Sequence, residues 1–119
     1  MTQEDKELLL KDLCGRLPYR VKCRIETRTG EYIAPLNNIN RISVTIGDIC
    51  REIAYVKPYL FPLSSMTKEQ YKEYWELEHS GNMEHLSIPA LDWLNANHFD
   101  YRGLIEKGLA IDATNLNIY

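Results

Sequence analysis

The sequence predicts an α+β fold: an N-terminal helix, a three-stranded antiparallel meander, and C-terminal helices packed on the sheet. Apolar residues recur every three or four positions near the N-terminus and again after Thr67, the spacing of a helix face. Between Tyr19 and Ile46 they alternate every second position, the spacing of half-buried strands. Gly, Asn and Pro punctuate the boundaries between these stretches.

Thr2 followed by Asp5 reads as a capped helix start, and Leu9, Leu10, Leu13, Cys14 and Leu17 supply its apolar stripe. Gly15 suits a left-handed helix end, and Pro18 blocks any restart. From Tyr19 the period is two: Tyr19, Val21, Cys23 and Ile25 face one way, Arg20, Lys22, Arg24 and Glu26 the other. A turn at Thr27-Arg28-Thr29-Gly30 returns the chain antiparallel over Glu31 to Leu36, with Pro35 marking a strand end or an exposed edge. Asn37-Asn38-Ile39-Asn40 reads as the next turn, and Arg41 to Ile46 as a third strand with Ile42, Val44 and Ile46 inward.

Residues 48–60 stay open between helix and strand. Asp48 suits the cap of a short helix through Ile49, Cys50, Ile53 and Ala54, whereas the same residues also suit a further strand through Ala54-Tyr55-Val56. Pro58 and Pro62 steer the residues before them away from helix, so Tyr59 and Leu60 are extended or turning. Thr67 and Gln70 then form a capping box flanked by Met66 and Tyr71, which predicts a helix over 68–79 with Tyr71, Tyr74, Trp75 and Leu77 on its core side. Gly81-Asn82 ends it. Ser87 and Pro89 start another helix, whose core stripe is Ala90, Leu91, Trp93 and Leu94 and which frays at Asn95-Ala96-Asn97. A helical turn is expected over Leu104 to Lys107, then a last apolar stretch from Leu109 to Ile111.

The chain has 119 residues, the size of one domain, and its 45% hydrophobic and 26% charged residues match an ordinary globular composition. No repeat or linker divides residues 1–119. Apolar runs are too short to span a bilayer, and Met1-Thr2-Gln3-Glu4-Asp5 lacks the basic and apolar regions of a signal peptide, so a cytoplasmic protein with no membrane partner is expected. Cys14, Cys23 and Cys50 form no Cys-x-x-Cys pair and read as reduced, packed thiols. A net charge of -3 gives the whole molecule no general attraction for nucleic acid.

Four constellations carry possible chemistry. Arg20, Lys22 and Arg24 share one strand face that suits phosphates, although exposed charges also serve to block edge pairing. His79, His85 and His98, with Glu78, Glu84, Asp92 and Asp100, lack the spacing that would align metal ligands, so no metal is expected. His98 and Asp100 are the acid-base candidates, weighed against a corner in which polar tips satisfy backbone groups. Neither a Walker loop nor a Rossmann fingerprint occurs, and no cofactor is expected. Eight tyrosines and two tryptophans exceed what such a core needs, which points to a contact patch with Tyr59, Phe61, Tyr101 and Arg102 as its candidates.

Two segments carry a resemblance: Lys57-Pro58-Tyr59-Leu60-Phe61-Pro62-Leu63-Ser64-Ser65-Met66-Thr67, and Trp93-Leu94-Asn95 through His98-Phe99-Asp100-Tyr101-Arg102-Gly103 to Leu109-Ala110. They resemble the signature stretches of small uncharacterised proteins of gut Bacteroidales and their phages or mobile elements. The likeness extends weakly to Leu13 through Val21, and it implies an accessory protein of bacterial or phage origin without implying an activity. The residues rank a non-enzymatic protein-binding module first, a nucleic-acid-binding accessory protein using Arg20, Lys22 and Arg24 second, and a small enzyme centred on His98 and Asp100 last. No residue specifies an oligomeric state.

Overall fold

A computed structural model of the chain describes residues 1–41, 43–79 and 88–119. The expected inward position of Ile42, the helix end at Gly81, the Ser87 cap, and the ligand candidates Glu84 and His85 lie outside the described residues.

Helix α1 spans Gln3–Arg16. Its capping box forms as expected: Thr2 Oγ1 accepts from the Asp5 amide at 3.0 Å, and the Asp5 carboxylate accepts from the Thr2 amide at 3.3 Å. Gly15 does not end the helix. The chain runs on through Arg16 and a 3-10 turn at Leu17–Tyr19, and the left-handed residue is Arg20, with φ 52°. Helical geometry at Arg16 is needed to bring it back to Asp12, four residues earlier. The missing side chain of Gly15 instead admits Asn95, whose amide nitrogen would lie 3.4 Å from a Cβ there.

The α+β class and the flanking helices are as expected, but the three-stranded meander is too small. Among the described residues seven strands form the sheet: β1 (Lys22–Thr27), β2 (Gly30–Ile39), β3 (Ser43–Ile46), β4 (Ile49–Glu52), β5 (Val56–Pro62), β6 (Phe99–Asp100) and β7 (Ile111–Asp112). Their order is β4-β3-β2-β1-β5-β6, with β7 also on β5. The first five pair antiparallel, while β6 and β7 run parallel to β5.

The expected turn at Asn37-Asn38 is strand interrupted by a bulge, where the register slips between Leu36 and Asn38. Asn37 is held there because its amide donates to the Gly47 carbonyl and its Oδ1 accepts from Arg20. Residues 48–60 resolve into strand, 3-10 turn (Ile53–Tyr55) and strand. Pro58 is tolerated opposite Cys23 inside the sheet because the β1–β5 ladder ends at that pair. Here the Tyr119 hydroxyl inserts, accepting from the Lys22 amide at 2.8 Å and donating to the Tyr59 carbonyl at 2.9 Å.

The sheet cannot be flat. From β4 to β5 is four strand spacings, about 19 Å at about 4.8 Å each. The chain from Glu52 to Val56 reaches at most about 14 Å. Curling closes the difference and wraps the inward residues Val21, Cys23, Ile25, Leu36, Val44, Ile46, Val56 and Leu60 around one core, onto which Leu9 and Leu13 of α1 and Leu104 pack.

Helix α2 (Lys68–Glu78) starts with the expected capping box, Thr67 Oγ1 accepting from the Gln70 amide at 3.1 Å and Gln70 Oε1 from the Thr67 amide at 2.9 Å. Its expected core stripe is overturned: no α2 residue is buried, and Tyr71 and Trp75 are 59% and 48% exposed. Helix α3 (Ile88–Ala96) does bury Ala90 and Leu94, and Asn95 as well, which does not fray. No described helix is long and apolar enough to cross a membrane.

Candidate functional site

The most tightly organised polar centre involves residues that the periodicity assigns to no role. Asp12 and Arg16 are wholly buried, and Asp12 accepts from Arg16 Nε at 2.7 Å, from Arg16 Nη2 at 3.2 Å, and from Arg102 Nε at 3.2 Å. Arg16 Nη2 also donates to the Phe99 carbonyl at 2.7 Å, which joins α1 to β6. Both guanidinium groups lie about 5 Å from the centre of the Tyr101 ring, and the Tyr101 hydroxyl donates to Asn95 at 2.9 Å. Tyr101 and Arg102, expected as contact residues, are therefore engaged inside the molecule. A signal for this existed: Asp12 and Arg16 stand on the helix face of Leu9 and Leu13, where charges are out of place unless paired.

His98 and Asp100 flank Phe99 but do not form a pair. Asp100 is buried, and its carboxylate accepts from the amides of Leu104 and Ile105 at 3.0 Å each and of Arg102 at 3.3 Å, which fastens the turn that follows β6. His98 closes α3 in the left-handed region, φ 62°, with its amide on the Asn95 carbonyl. Its ring stacks on Tyr119 at 3.9 Å and faces a separate hollow of about 350 Å³ that Phe61 and Asn97 also line. Burial, then the Arg16 and Lys22 charges, lowers the His98 pKa from 6.5 to about 4. This imidazole is neutral near pH 7.

A measurable consequence is acid sensitivity. Above about pH 6.5 the imidazole is neutral in both folded and unfolded chains; as the pH falls from 6.5 towards 4 the unfolded chain binds a proton that the folded one refuses. Stability should decline across that window. Urea midpoints measured at several pH values should fall less steeply for His98→Asn, which tolerates the left-handed backbone.

The segment that carries Tyr59 and Phe61, both expected in the contact patch, is mostly interior. Tyr59 is 3% exposed, and Phe61 is half-buried against Phe99 and Tyr119 at 6.2 and 5.8 Å between ring centres. Its place inside the sheet makes this segment architecture, held by β1 on one side and by the short strands β6 and β7 on the other.

The basic residues do not act as one face. Arg20 leaves the strand and donates to Asn37 at 2.7 Å. Lys22 Nζ donates to the Ile118 carbonyl at 2.7 Å and lies over the Tyr119 ring. Arg24 pairs with Glu31 across the strands at 3.1 Å.

Neither a known protein family, nor a curated protein, nor a solved structure matches this chain.

Among the described residues no group of three or more His, Cys, Asp or Glu is placed to hold a metal. The three cysteines are free, and the packed-thiol expectation holds only for Cys23, whose pKa burial pushes well above the usual thiol range; Cys14 and Cys50 are exposed. What remains is the aromatic face of α2. Tyr74 turns towards α3 and meets the Trp93 ring at 6.0 Å, and Trp93 Nε1 donates to Glu73 at 3.2 Å. Those contacts fix the roll of the helix. Tyr71 and Trp75, one turn apart, are left facing outward, with His79 stacked on Trp75 at 4.2 Å between ring centres.

Proposed function

We propose that this chain is a small, non-enzymatic protein-binding module of bacterial or phage origin, and that its contact surface is the outer face of α2. The observation that carries this reading is the exposure of Tyr71 and Trp75 on a helix that buries none of its residues. Tyrosine and tryptophan are favoured as interface anchors because each offers a large, stiff apolar area with a polar edge. Lys68, Glu69, Lys72 and Glu76 surround the pair, an arrangement of apolar centre and charged rim that suits a reversible protein contact. The capping box at Thr67 and the Glu73–Trp93 bond preorganise the face, so little ordering cost remains for binding. The bacterial or phage origin rests on the two signature segments alone.

Support for an enzyme is weaker, since Asp100 is committed to backbone amides and, among the described residues, the charges that act on His98 are those of Arg16 and Lys22. Affinity capture of the tagged chain from its host, followed by mass spectrometry, tests the reading. A partner retained at high salt should be captured by the wild type and by Lys22→Ala, and lost with Tyr71→Glu/Trp75→Glu. Equal capture by the double variant, still folded by circular dichroism, would contradict it.

A further inference from the structure

Curling of the sheet creates a second surface of different chemistry. A cleft of about 410 Å³ opens where the turn Ile53–Tyr55 bridges β4 and β5, lined by Arg24, Glu26, Arg51, Ala54, Tyr55 and Lys57. Three cations against one carboxylate make it positive in a molecule whose net charge is -3. Only part of that charge is engaged: Arg24 pairs with Glu31, whereas neither Arg51 nor Lys57 makes an ion pair among the described residues. Tyr55, carried on the 3-10 turn in their midst, is 67% exposed, the most exposed tyrosine described.

We propose that this cleft binds single-stranded nucleic acid, with Arg51, Lys57 and Arg24 on its phosphates and an unpaired base stacked on Tyr55. The cations alone would suit any phosphate. The ring beside them adds a platform that a base can use and a plain phosphate cannot, and backbone-tracking charge with an aromatic stacking surface is how single strands are held without sequence reading. A duplex keeps its bases stacked internally and offers no such face. Glu26 opposes the phosphates and keeps binding modest, and the acidic remainder of the molecule confines it to this cleft. The site shares only Arg24 with the stripe of Arg20, Lys22 and Arg24, because alternation along one strand does not reveal which strands curling brings together.

The test uses the full chain and a fluorescein-labelled twelve-residue oligothymidine, followed by anisotropy over a range of salt. Saturable binding is expected, with log K falling against log salt with a slope of about -2, as three phosphate contacts on a single strand give. Arg51→Glu/Lys57→Glu should abolish it; Tyr55→Ala should weaken it about tenfold or more, and Tyr55→Phe should restore it. Tyr71→Glu/Trp75→Glu should bind as the wild type, so this outcome is separate from that of the α2 face. Absence of binding at low salt would overturn the proposal. So would undiminished binding by folded Tyr55→Ala, or competition by inorganic polyphosphate or a phosphopeptide of equal charge as effective as that by unlabelled oligonucleotide.

Discussion

Asp12→Ala should cost the fold about 3–5 kcal/mol, the usual penalty for removing one member of a buried ion pair. Asp12 is fully buried and receives both Arg16 and Arg102, so its loss leaves the Arg16 guanidinium interior with, among the described residues, the Phe99 carbonyl as its one remaining hydrogen-bond partner. Arg102 is partly exposed and can turn to water; Arg16 has nowhere to go. In a domain of this length that corresponds to a melting temperature lower by about 10 °C or more, measurable by differential scanning calorimetry. The companion variant Asp12→Leu/Arg16→Met, which removes both charges, should be more stable than Asp12→Leu alone, because the main cost is an orphaned buried charge rather than a missing contact. If the double variant is no better than the single, the polar centre contributes through shape instead.

Asp100→Ala is expected to rank second, at about 3 kcal/mol, since it deprives three backbone amides of a charged acceptor, that of Leu104 in a buried position and those of Arg102 and Ile105 in part-buried ones. Asp100→Asn, which keeps an acceptor oxygen, should cost distinctly less. Chemical denaturation of both variants provides the comparison. This ordering separates a structural carboxylate from a catalytic one: a carboxylate serving in acid-base chemistry gains little stability from its amide partners, and its removal would leave the midpoint almost unchanged.

Local signals were the most legible part of this fold. Thr2 with Asp5, and Thr67 with Gln70, each carry within four residues everything a helix start needs, and both form as the sequence predicts. The alternation of Val21, Cys23 and Ile25, and of Val44 and Ile46, likewise marks the inward face of strands. Short or irregular strands were not legible. β6 and β7 have two residues each, too few to show a period, and exist because β5 offers them its free edge. Asn37 looks like a turn residue and is a bulge, because its side chain finds the Gly47 carbonyl rather than its own backbone. Periodicity also misjudged α2 in one respect: it identified the aromatic side as apolar, but an apolar side faces the core only if the chain has core left to cover. Here Trp93 and Tyr74 satisfy the attachment, and Tyr71 and Trp75 remain outside.

The same distinction explains the candidate sites. His98, Asp100, Tyr101 and Arg102 are adjacent in sequence, yet each is drawn to a different partner: Tyr119, the turn amides, Asn95 and Asp12. Sequence neighbours in a corner point in different directions, and only the packing of α1 and the final residues decides which way. Tyr59 and Phe61 were marked by their setting between prolines, a feature that equally describes a strand flanked on both sides within a curled sheet.

The protein-contact reading is tested most directly by placing a photo-reactive phenylalanine analogue at position 71, at position 75 or, as a control, at position 28 in the β1–β2 turn, and irradiating the host cells. Positions 71 and 75 should yield the same discrete protein adduct and position 28 none. Failure of both α2 positions to crosslink any protein, or an adduct shared equally by position 28, would contradict the assignment of the α2 face as the contact surface.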